Sequence, residues 1–143
     1  MSQRTYIFET MFEVLGRLGT LVNAVVEFRR PHPSLPAATD GRRIWIDPKM
    51  TMDEQRCSLA HEVFHLIHGH TSCQPPAVER QIRMEAAQWL VPFQSLQKVA
   101  GWAKSPAELA EELGVTEQVV MDRLATLDGD QIQALWPPSD HIA

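Results

Sequence analysis

The apolar positions in the first third of the chain predict a helix followed by two short strands. In residues 6–18 apolar side chains recur every three or four positions, which is typical of an amphipathic helix. Residues 22–28 are rich in β-branched side chains and predict a strand. Three prolines in residues 29–40 predict a loop, because proline is excluded from helix interiors and central strands. Residues 44–46, Ile-Trp-Ile, predict a second strand, which we expect to pair with the first.

The middle of the chain predicts two helices joined by a short loop. Thr51 or Asp53 has the residue type of an N-cap, and Glu54 lies three positions after Thr51, as in a capping box. The helix that begins there is expected to run to about residue 68, where Gly69 ends it. The second helix is expected from residue 77 to residue 90 or 91, before Pro92.

The last third of the chain predicts further helices and a short tail. Residues 93–102 are helical or irregular in pattern. Ser105, followed by Pro106, predicts the start of a helix at 106–113, and Gly114 joins it to another at 116–126. The acidic segment at 128–143 contains two consecutive prolines and is expected to be partly loose.

The length of 143 residues suits one compact domain. We predict an α+β fold that is mostly helical, with a core at residues 1–103. A helix pair at 104–127 would pack on this core, and residues 128–143 would form the tail.

Charge and cysteine content narrow the class of protein. The net charge of −5 argues against a surface that neutralises nucleic-acid phosphates. Two cysteines, Cys57 and Cys73, are too few for a disulfide framework, so we expect reduced thiols and a cytoplasmic protein. The sequence has neither an apolar run long enough to span a bilayer nor a recognisable secretory leader, so a membrane is not an expected partner.

The first predicted central helix carries the motif HExxH at residues 61–65. Residues four apart lie on one face of a helix, so His61 and His65 would present two imidazoles to the same point. This geometry suits a Zn²⁺ ion with an open position for water. Glu62 would be the carboxylate that takes a proton from that water as it attacks a carbonyl.

A catalytic zinc ion needs a third protein ligand, and the next helix offers Glu79 and Glu85. Glu79 shares a helical stripe with small and apolar residues, which should face the HExxH helix. Glu85 lies with glutamines on a polar face. Helical phase therefore favours Glu79, although either residue has the alternative of being an ordinary solvated glutamate.

Five other residues are weaker candidates for this site. His68 lies on the same helical face as His61 and His65 and is a substitute ligand, an orienting donor or an oxyanion stabiliser, or else an ordinary helix-end histidine. His70, and Tyr6 further away, are alternative oxyanion donors with little to separate them. A site that uses Cys57 or Cys73 is disfavoured, because thiolate zinc sites normally contain several cysteines close together.

The helices at 106–113 and 116–126 have the small, turn and apolar positions of a helix-turn-helix. Their charge argues against DNA binding, because the second helix carries Glu117 and Asp122 and only one base, Arg123. We expect a packed helix pair that braces the rest of the protein or contacts a protein substrate.

Three runs of the sequence resemble the ImmA/IrrE-type zinc metallopeptidases, most closely the short versions of actinobacterial phages and prophages. They lie at residues 44–47, 56–65 and 79–92 and read IWID, RCSLAHEVFH and ERQIRMEAAQWLVP. The resemblance implies a small zincin-like, gluzincin-type domain with Zn²⁺ on His61, His65 and Glu79. It implies one departure too: Arg83 stands where the family has Asn or Asp, and it cannot accept a hydrogen bond from an imidazole.

The resemblance also implies a function, namely cleavage of a helix-turn-helix repressor that derepresses phage or mobile-element genes. The alternatives are a non-catalytic zinc-containing module that binds a phage or host regulator, and a DNA-binding regulator built on the C-terminal helices. In the peptidase, the strand at 44–46 is either a sheet edge that pairs with an extended substrate or an ordinary strand whose Trp45 fills the core.

Overall fold

The computed structural model describes residues 24–139, in which three strands precede six helices. The strands are β1 (Val25–Glu27), β2 (Ala37–Thr39) and β3 (Arg43–Ile46). The helices are α1 (Met52–Ile67), α2 (Pro76–Leu90), α3 (Phe93–Val99), α4 (Pro106–Leu113), α5 (Glu117–Ala125) and α6 (Gly129–Leu135). This architecture confirms the predicted α+β, mostly helical class. The helix predicted at 6–18, with Tyr6, lies outside the described residues.

The three strands form one sheet in the order β1-β3-β2. β3 runs parallel to β1 and antiparallel to β2, which confirms its predicted pairing with the earlier strand. Ile44 and Ile46 are completely buried on one face of β3, and both belong to the main hydrophobic core. Trp45 points to the other face, where its indole N–H donates to Glu27 Oε2 at 2.9 Å.

One prediction about this sheet is wrong, and one of the two alternatives for the strand at 44–46 is excluded. The segment at 29–40 is not a loop throughout, because β2 begins directly after its last proline, Pro36. Proline restricts only its own position and its immediate neighbours, so the next three residues are free to pair. β3 is the central strand and therefore offers no edge to a substrate, while β2 is the sheet edge that lies nearest α1.

α1 begins and ends where the sequence predicts. Thr51 Oγ1 accepts from the Glu54 N–H at 3.1 Å, and the Glu54 carboxylate accepts from the Thr51 N–H at 3.1 Å, which confirms the capping box. Gly69 follows the helix with φ of +75°, a conformation that glycine adopts without steric cost. The predicted bounds of α2 are confirmed, since it ends at Leu90, two residues before Pro92.

The C-terminal helices pack onto the same core as the sheet and α1. Ser105 caps α4, and Gly114 follows it in the left-handed conformation, as predicted. The guanidinium of Arg56 on α1 donates to the Gly114 carbonyl, and buried Arg123 on α5 donates to the Val91 carbonyl at 2.7 Å. These bonds hold α4 and α5 against α1 and α2.

The expectation of a partly loose C-terminal tail is wrong for residues 129–135, which form α6. Asp128 and Gln131 form a capping box at its start. Leu135 is buried, and the Trp136 indole donates to the Ala100 carbonyl at 3.1 Å. α6 is therefore capped at its start and fastened to the core at its C-terminal end. Within residues 24–139, no helix is both long and apolar enough to cross a membrane.

Candidate metal centre

α1 presents His61 and His65 on one face, one turn apart. Their Nε2 atoms lie 3.1 Å from each other, and the two rings meet edge to face with centroids 4.8 Å apart. His65 is buried, with 3% of its surface exposed, and His61 is partly exposed. Both rings therefore aim the same nitrogen at one point at the margin of the core.

α2 brings Glu79 to the same point from its first turn. Glu79 Oε2 lies 3.2 Å from His61 Nε2 and 2.9 Å from His65 Nε2. The other carboxylate oxygen accepts from the Gln74 N–H at 3.0 Å, which orients the group. Glu85, the alternative ligand, lies elsewhere and contacts His68 at 2.7 Å. The structure thus brings together the three residues that helical phase favoured.

The three donor atoms fit a metal ion. Ligand atoms of His61, His65 and Glu79 all lie within 4.8 Å of one another. Zinc bonds of about 2.0–2.1 Å in a tetrahedral arrangement separate neighbouring ligand atoms by ~3.3 Å. The observed separations of 2.9–3.2 Å come close to that spacing. Small side-chain adjustments would seat such an ion.

The protonation states of these ligands also suit a cation. Burial, followed by the charge of neighbouring His65, lowers the pKa of His61 and favours its neutral form. Burial raises the pKa of Glu79, but the Gln74 N–H and the two histidines outweigh it, so the net pKa is lowered. A neutral imidazole beside an ionised carboxylate is the state in which these residues bind metals.

Glu62 lies beside the three ligands without joining them. It is 8% exposed, and burial, together with the negative charge of Glu79, raises its pKa to about 8. Its side chain lines two adjacent pockets, and His61 lines both as well. One pocket lies against β2 and the loop between α1 and α2, and the other lies between α1, α2 and α5. Glu62 is therefore accessible to a molecule that enters either pocket.

His70 contacts the far side of His65, which sequence reasoning did not predict. Its Nδ1 lies 2.9 Å from His65 Nδ1, and the His70 N–H donates to the His65 carbonyl at 2.9 Å. If His65 Nδ1 carries the proton and donates to His70, the His65 Nε2 lone pair is free to face the ligand cluster. Gly69 is the sequence feature that could have predicted this contact. A left-handed residue directly after a helix turns the following residue back over the last turn of that helix.

Arg83 does not orient either histidine ligand. Its Nε lies 3.4 Å from a carboxylate oxygen of Asp122 on α5, and its charge contributes to the lowered pKa of His61. Asp122 is 8% exposed, and its other carboxylate oxygen accepts a hydrogen bond from the Gln118 amide at 3.1 Å. At this position the chain has an ion pair between α2 and α5 in place of a hydrogen-bond acceptor.

The remaining candidates lie outside the cluster. His68 is exposed, contacts Glu85, and stacks on His70 with centroids 5.8 Å apart. Cys57 is buried among apolar side chains, and burial raises the pKa of its thiol, so the thiolate that binds metals is disfavoured. Cys73 is exposed and lines the pocket next to β2.

Comparison with known protein families gives one finding. A model of the IrrE N-terminal-like domain, family Peptidase_M78, matches residues 21–125. The chain matches no curated protein and no solved structure. The family match spans β1 to α5 and includes every residue of the candidate metal centre. The chain therefore belongs to the IrrE N-terminal-like family of metallopeptidases.

Proposed function

We propose that this protein is a zinc-dependent endopeptidase with Glu62 as its general base. The observation that carries the proposal is the convergence of His61, His65 and Glu79 on one point, with the buried carboxyl of Glu62 beside it. A zinc ion, when bound, supplies Lewis-acid chemistry: it polarises a peptide carbonyl and lowers the pKa of water.

The side chains of the chain itself perform the proton transfers. Glu62 takes a proton from the attacking water and delivers it to the leaving amine. The buried Glu62 side chain lines both pockets beside the three ligands, where the substrate carbonyl and the attacking water would enter. Gln74 holds the Glu79 carboxylate in place through its backbone N–H, and His70 contacts His65.

Among the described residues, β2 has one edge that no strand pairs with, and this edge binds the substrate backbone. Residues 37–39 line the same pocket as His61, Glu62 and Glu79. An extended peptide that adds to this edge would form main-chain hydrogen bonds and pass beside the metal centre. The substrate strand therefore pairs with β2, on the side of β2 opposite β3.

The proposed substrate is a helix-turn-helix repressor, whose cleavage derepresses phage or mobile-element genes in the cytoplasm. Support comes from membership of the IrrE N-terminal-like family and from the resemblance to ImmA/IrrE-type peptidases in residues 44–92. A cut in such a repressor would separate its DNA-binding part from the rest of its chain.

The test uses purified protein, its zinc content, and a helix-turn-helix repressor encoded next to its gene. We expect one zinc ion per chain and site-specific cleavage. Glu62→Gln should keep the zinc and lose activity by at least ~100-fold, as expected for removal of a general base. Glu85→Gln is the matched control, because Glu85 lies outside the ligand cluster and pairs with exposed His68. Absence of zinc, or equal cleavage by Glu62→Gln, contradicts the proposal.

A second candidate function is a non-catalytic zinc module that binds a phage or host regulator. Arg83 favours it, because the ion pair with Asp122 replaces the acceptor that relatives place near a histidine ligand. In that case Glu62→Gln keeps the full biological effect, measured as derepression of the regulated genes, while His61→Ala unfolds the protein.

We do not assign DNA binding to α4 and α5. Arg123, the single base of α5, is buried and donates to the Val91 carbonyl, so its guanidinium is engaged inside the protein. The exposed faces of both helices carry glutamates, including Glu111, Glu112 and Glu117. A negative surface of this kind repels phosphates.

A further inference from the structure

The pocket between α1, α2 and α5 has no role in the metal centre itself. It has a volume of about 300 Å³ and opens on His61 and Glu62. That volume is at the small end of the range for ligand pockets, about 300–1,000 Å³. It suits one side chain of a larger molecule better than a whole cofactor.

The walls of this pocket are mainly apolar. Met50 lies at one side, Ala86 and Leu90 come from α2, and Val119 comes from α5. Val119 is only partly buried by the protein's own packing, so its side chain is available to an occupant. An apolar group that fills this space removes its own surface and that of the walls from water.

The charged groups in the walls disfavour a charged occupant. Arg83 and Asp122 neutralise each other, and Gln118 occupies the other oxygen of Asp122. The remaining acids, Glu54 and Glu62, would repel an acidic side chain. A lysine or arginine would lose its hydration against walls that are mainly apolar. Of the two acids, Glu54 is exposed and already accepts a hydrogen bond from the Thr51 N–H, and Glu62 is the general base of the proposed reaction.

We propose that this pocket receives a large apolar side chain of the protein substrate, next to the scissile bond, and that Val119 of α5 limits its size. The inference rests on the proposed peptidase function. A carbonyl attacked by water that Glu62 activates must lie close to Glu62, so a neighbouring substrate side chain falls at the opening of the pocket. The C-terminal helix pair therefore takes part in substrate selection.

The test measures binding of peptide hydroxamates to the zinc-loaded, full-length protein by calorimetry. The hydroxamate group chelates the metal, and the compounds differ only in the adjacent side chain: hydrogen, isobutyl, benzyl, carboxymethyl or aminobutyl. We expect isobutyl or benzyl to bind about 10-fold or more tighter than hydrogen, as burial of one such group predicts. The carboxymethyl and aminobutyl compounds should bind no more tightly than the hydrogen compound.

Val119→Phe fills the pocket and should abolish this gain while binding the hydrogen compound as the wild type does. Met121→Phe is the matched control, since Met121 lies on α5 but is 51% exposed and outside the pocket. If Val119→Phe misfolds, Val119→Met reduces the pocket volume by less. It should lower the affinity ratio of the isobutyl or benzyl compound to the hydrogen compound by at least half.

The outcomes separate the two proposals. Equal affinity for all compounds, the tightest binding by a charged compound, or an unchanged preference in the Val119 variants overturns the pocket inference alone. Failure of every compound, including the hydrogen one, overturns the metal centre of the proposed function and the pocket inference with it.

Discussion

His65 is the residue on which most contacts of the site converge. One ring nitrogen faces His61 and Glu79, and the other contacts His70 at 2.9 Å. We predict that His70→Ala weakens zinc binding by about 10- to 100-fold, the usual effect of removing a hydrogen-bond partner of a metal ligand. Competition with a chelator of known affinity measures the change.

Two variants make this prediction specific to the contact with His65. His70→Gln keeps an acceptor oxygen and should recover part of the affinity. His68→Ala removes the ring that stacks on His70 but leaves His65 untouched, so it should bind zinc as the wild type does. Full affinity in His70→Ala would show that His65 needs no such partner.

Glu62 should make the stability of the metal-free protein depend on pH. Its folded-state pKa is about 8, against an ordinary glutamate value of 4.5, so the folded protein holds a proton that the unfolded chain releases. Stability therefore falls as pH rises from about 4.5 through 8. Glu62→Gln has no such proton to lose. The free energy of unfolding of this variant, relative to that of the wild type, should therefore rise across this pH interval.

Urea unfolding of both proteins in chelator, at pH 5, 7 and 9, measures that difference. The lowered pKa of His61 acts in the opposite direction near pH 6, but it acts on both proteins and cancels in the comparison. A difference between the two proteins that stays constant with pH would contradict the assignment of a raised pKa to Glu62.

The residues that could be predicted from the sequence are those whose positions follow from helical periodicity. His61 and His65 share a face because they are four apart, and the apolar stripe of α2 turns Glu79 toward α1. His70 and the Arg83–Asp122 pair depend on how the chain returns after Gly69 and on how α5 docks. Both contacts depend on residues that are distant in the sequence or on a turn outside the helix, so helical periodicity does not predict them.

At the scale of elements, β2 directs alternate backbone groups to two sides: one set bonds to β3, and the other faces the open edge where the substrate is proposed to bind. Asp47 N–H bonds to the Pro36 carbonyl and Asp40 N–H to the Arg43 carbonyl, so residues 36, 38 and 40 face β3. Along an antiparallel strand, successive residues point their backbone N–H and C=O alternately toward the partner strand and away from it. The Ala37 N–H therefore points to the open edge. We predict that Ala37→Pro reduces repressor cleavage by about 10-fold, the worth of one lost hydrogen bond of about 1.4 kcal/mol.

Thermal unfolding accompanies this measurement. Ala37→Pro removes no bond of the sheet and should leave the melting temperature nearly unchanged. Ala38→Pro, one residue further, deletes a bond to β3 and should destabilise the fold. Equal cleavage by wild type and Ala37→Pro would show that the substrate does not pair with β2.

β2 and α6 were missed for the same physical reason. Both are short, and their stability comes from partners far along the chain. β2 has the sequence Ala-Ala-Thr, which carries little strand signal, yet it pairs with three of the four residues of β3, at positions 44–46. α6 contains seven residues, too few for an isolated helix, and Leu135 and Trp136 fasten it to the core.

At the scale of the whole molecule, two buried arginines join the C-terminal helices to the HExxH helix and its partner. Arg56 satisfies the carbonyl at the end of α4, and Arg123 satisfies the carbonyl at the end of α2. One hydrophobic core includes residues of β3 and of all six helices described. α5 is thereby fixed beside the pocket that opens on Glu62, which is the condition for its proposed role in substrate selection.

Metal removal tests how far this packing depends on the metal centre. The ligands bridge α1 and α2, which also pack through the core residues Leu59, Val63 and Ala86. Because the core is largely independent of the ligands, we predict that the metal-free protein stays folded and melts at a lower temperature. Zinc at 1,000 times its dissociation constant should stabilise the fold by about 4 kcal/mol. Calorimetry with and without a chelator measures the shift.

His61→Ala should lose the zinc-dependent part of this shift and still unfold cooperatively near the melting temperature of the metal-free wild type. Glu85→Gln should keep the whole shift, because Glu85 is not a member of the ligand cluster. A zinc ion that is needed for the fold would instead leave His61→Ala unfolded at all temperatures. That result would favour the non-catalytic module, since a structural ion holds the fold together, whereas a catalytic ion is distinguished by an open coordination position for water.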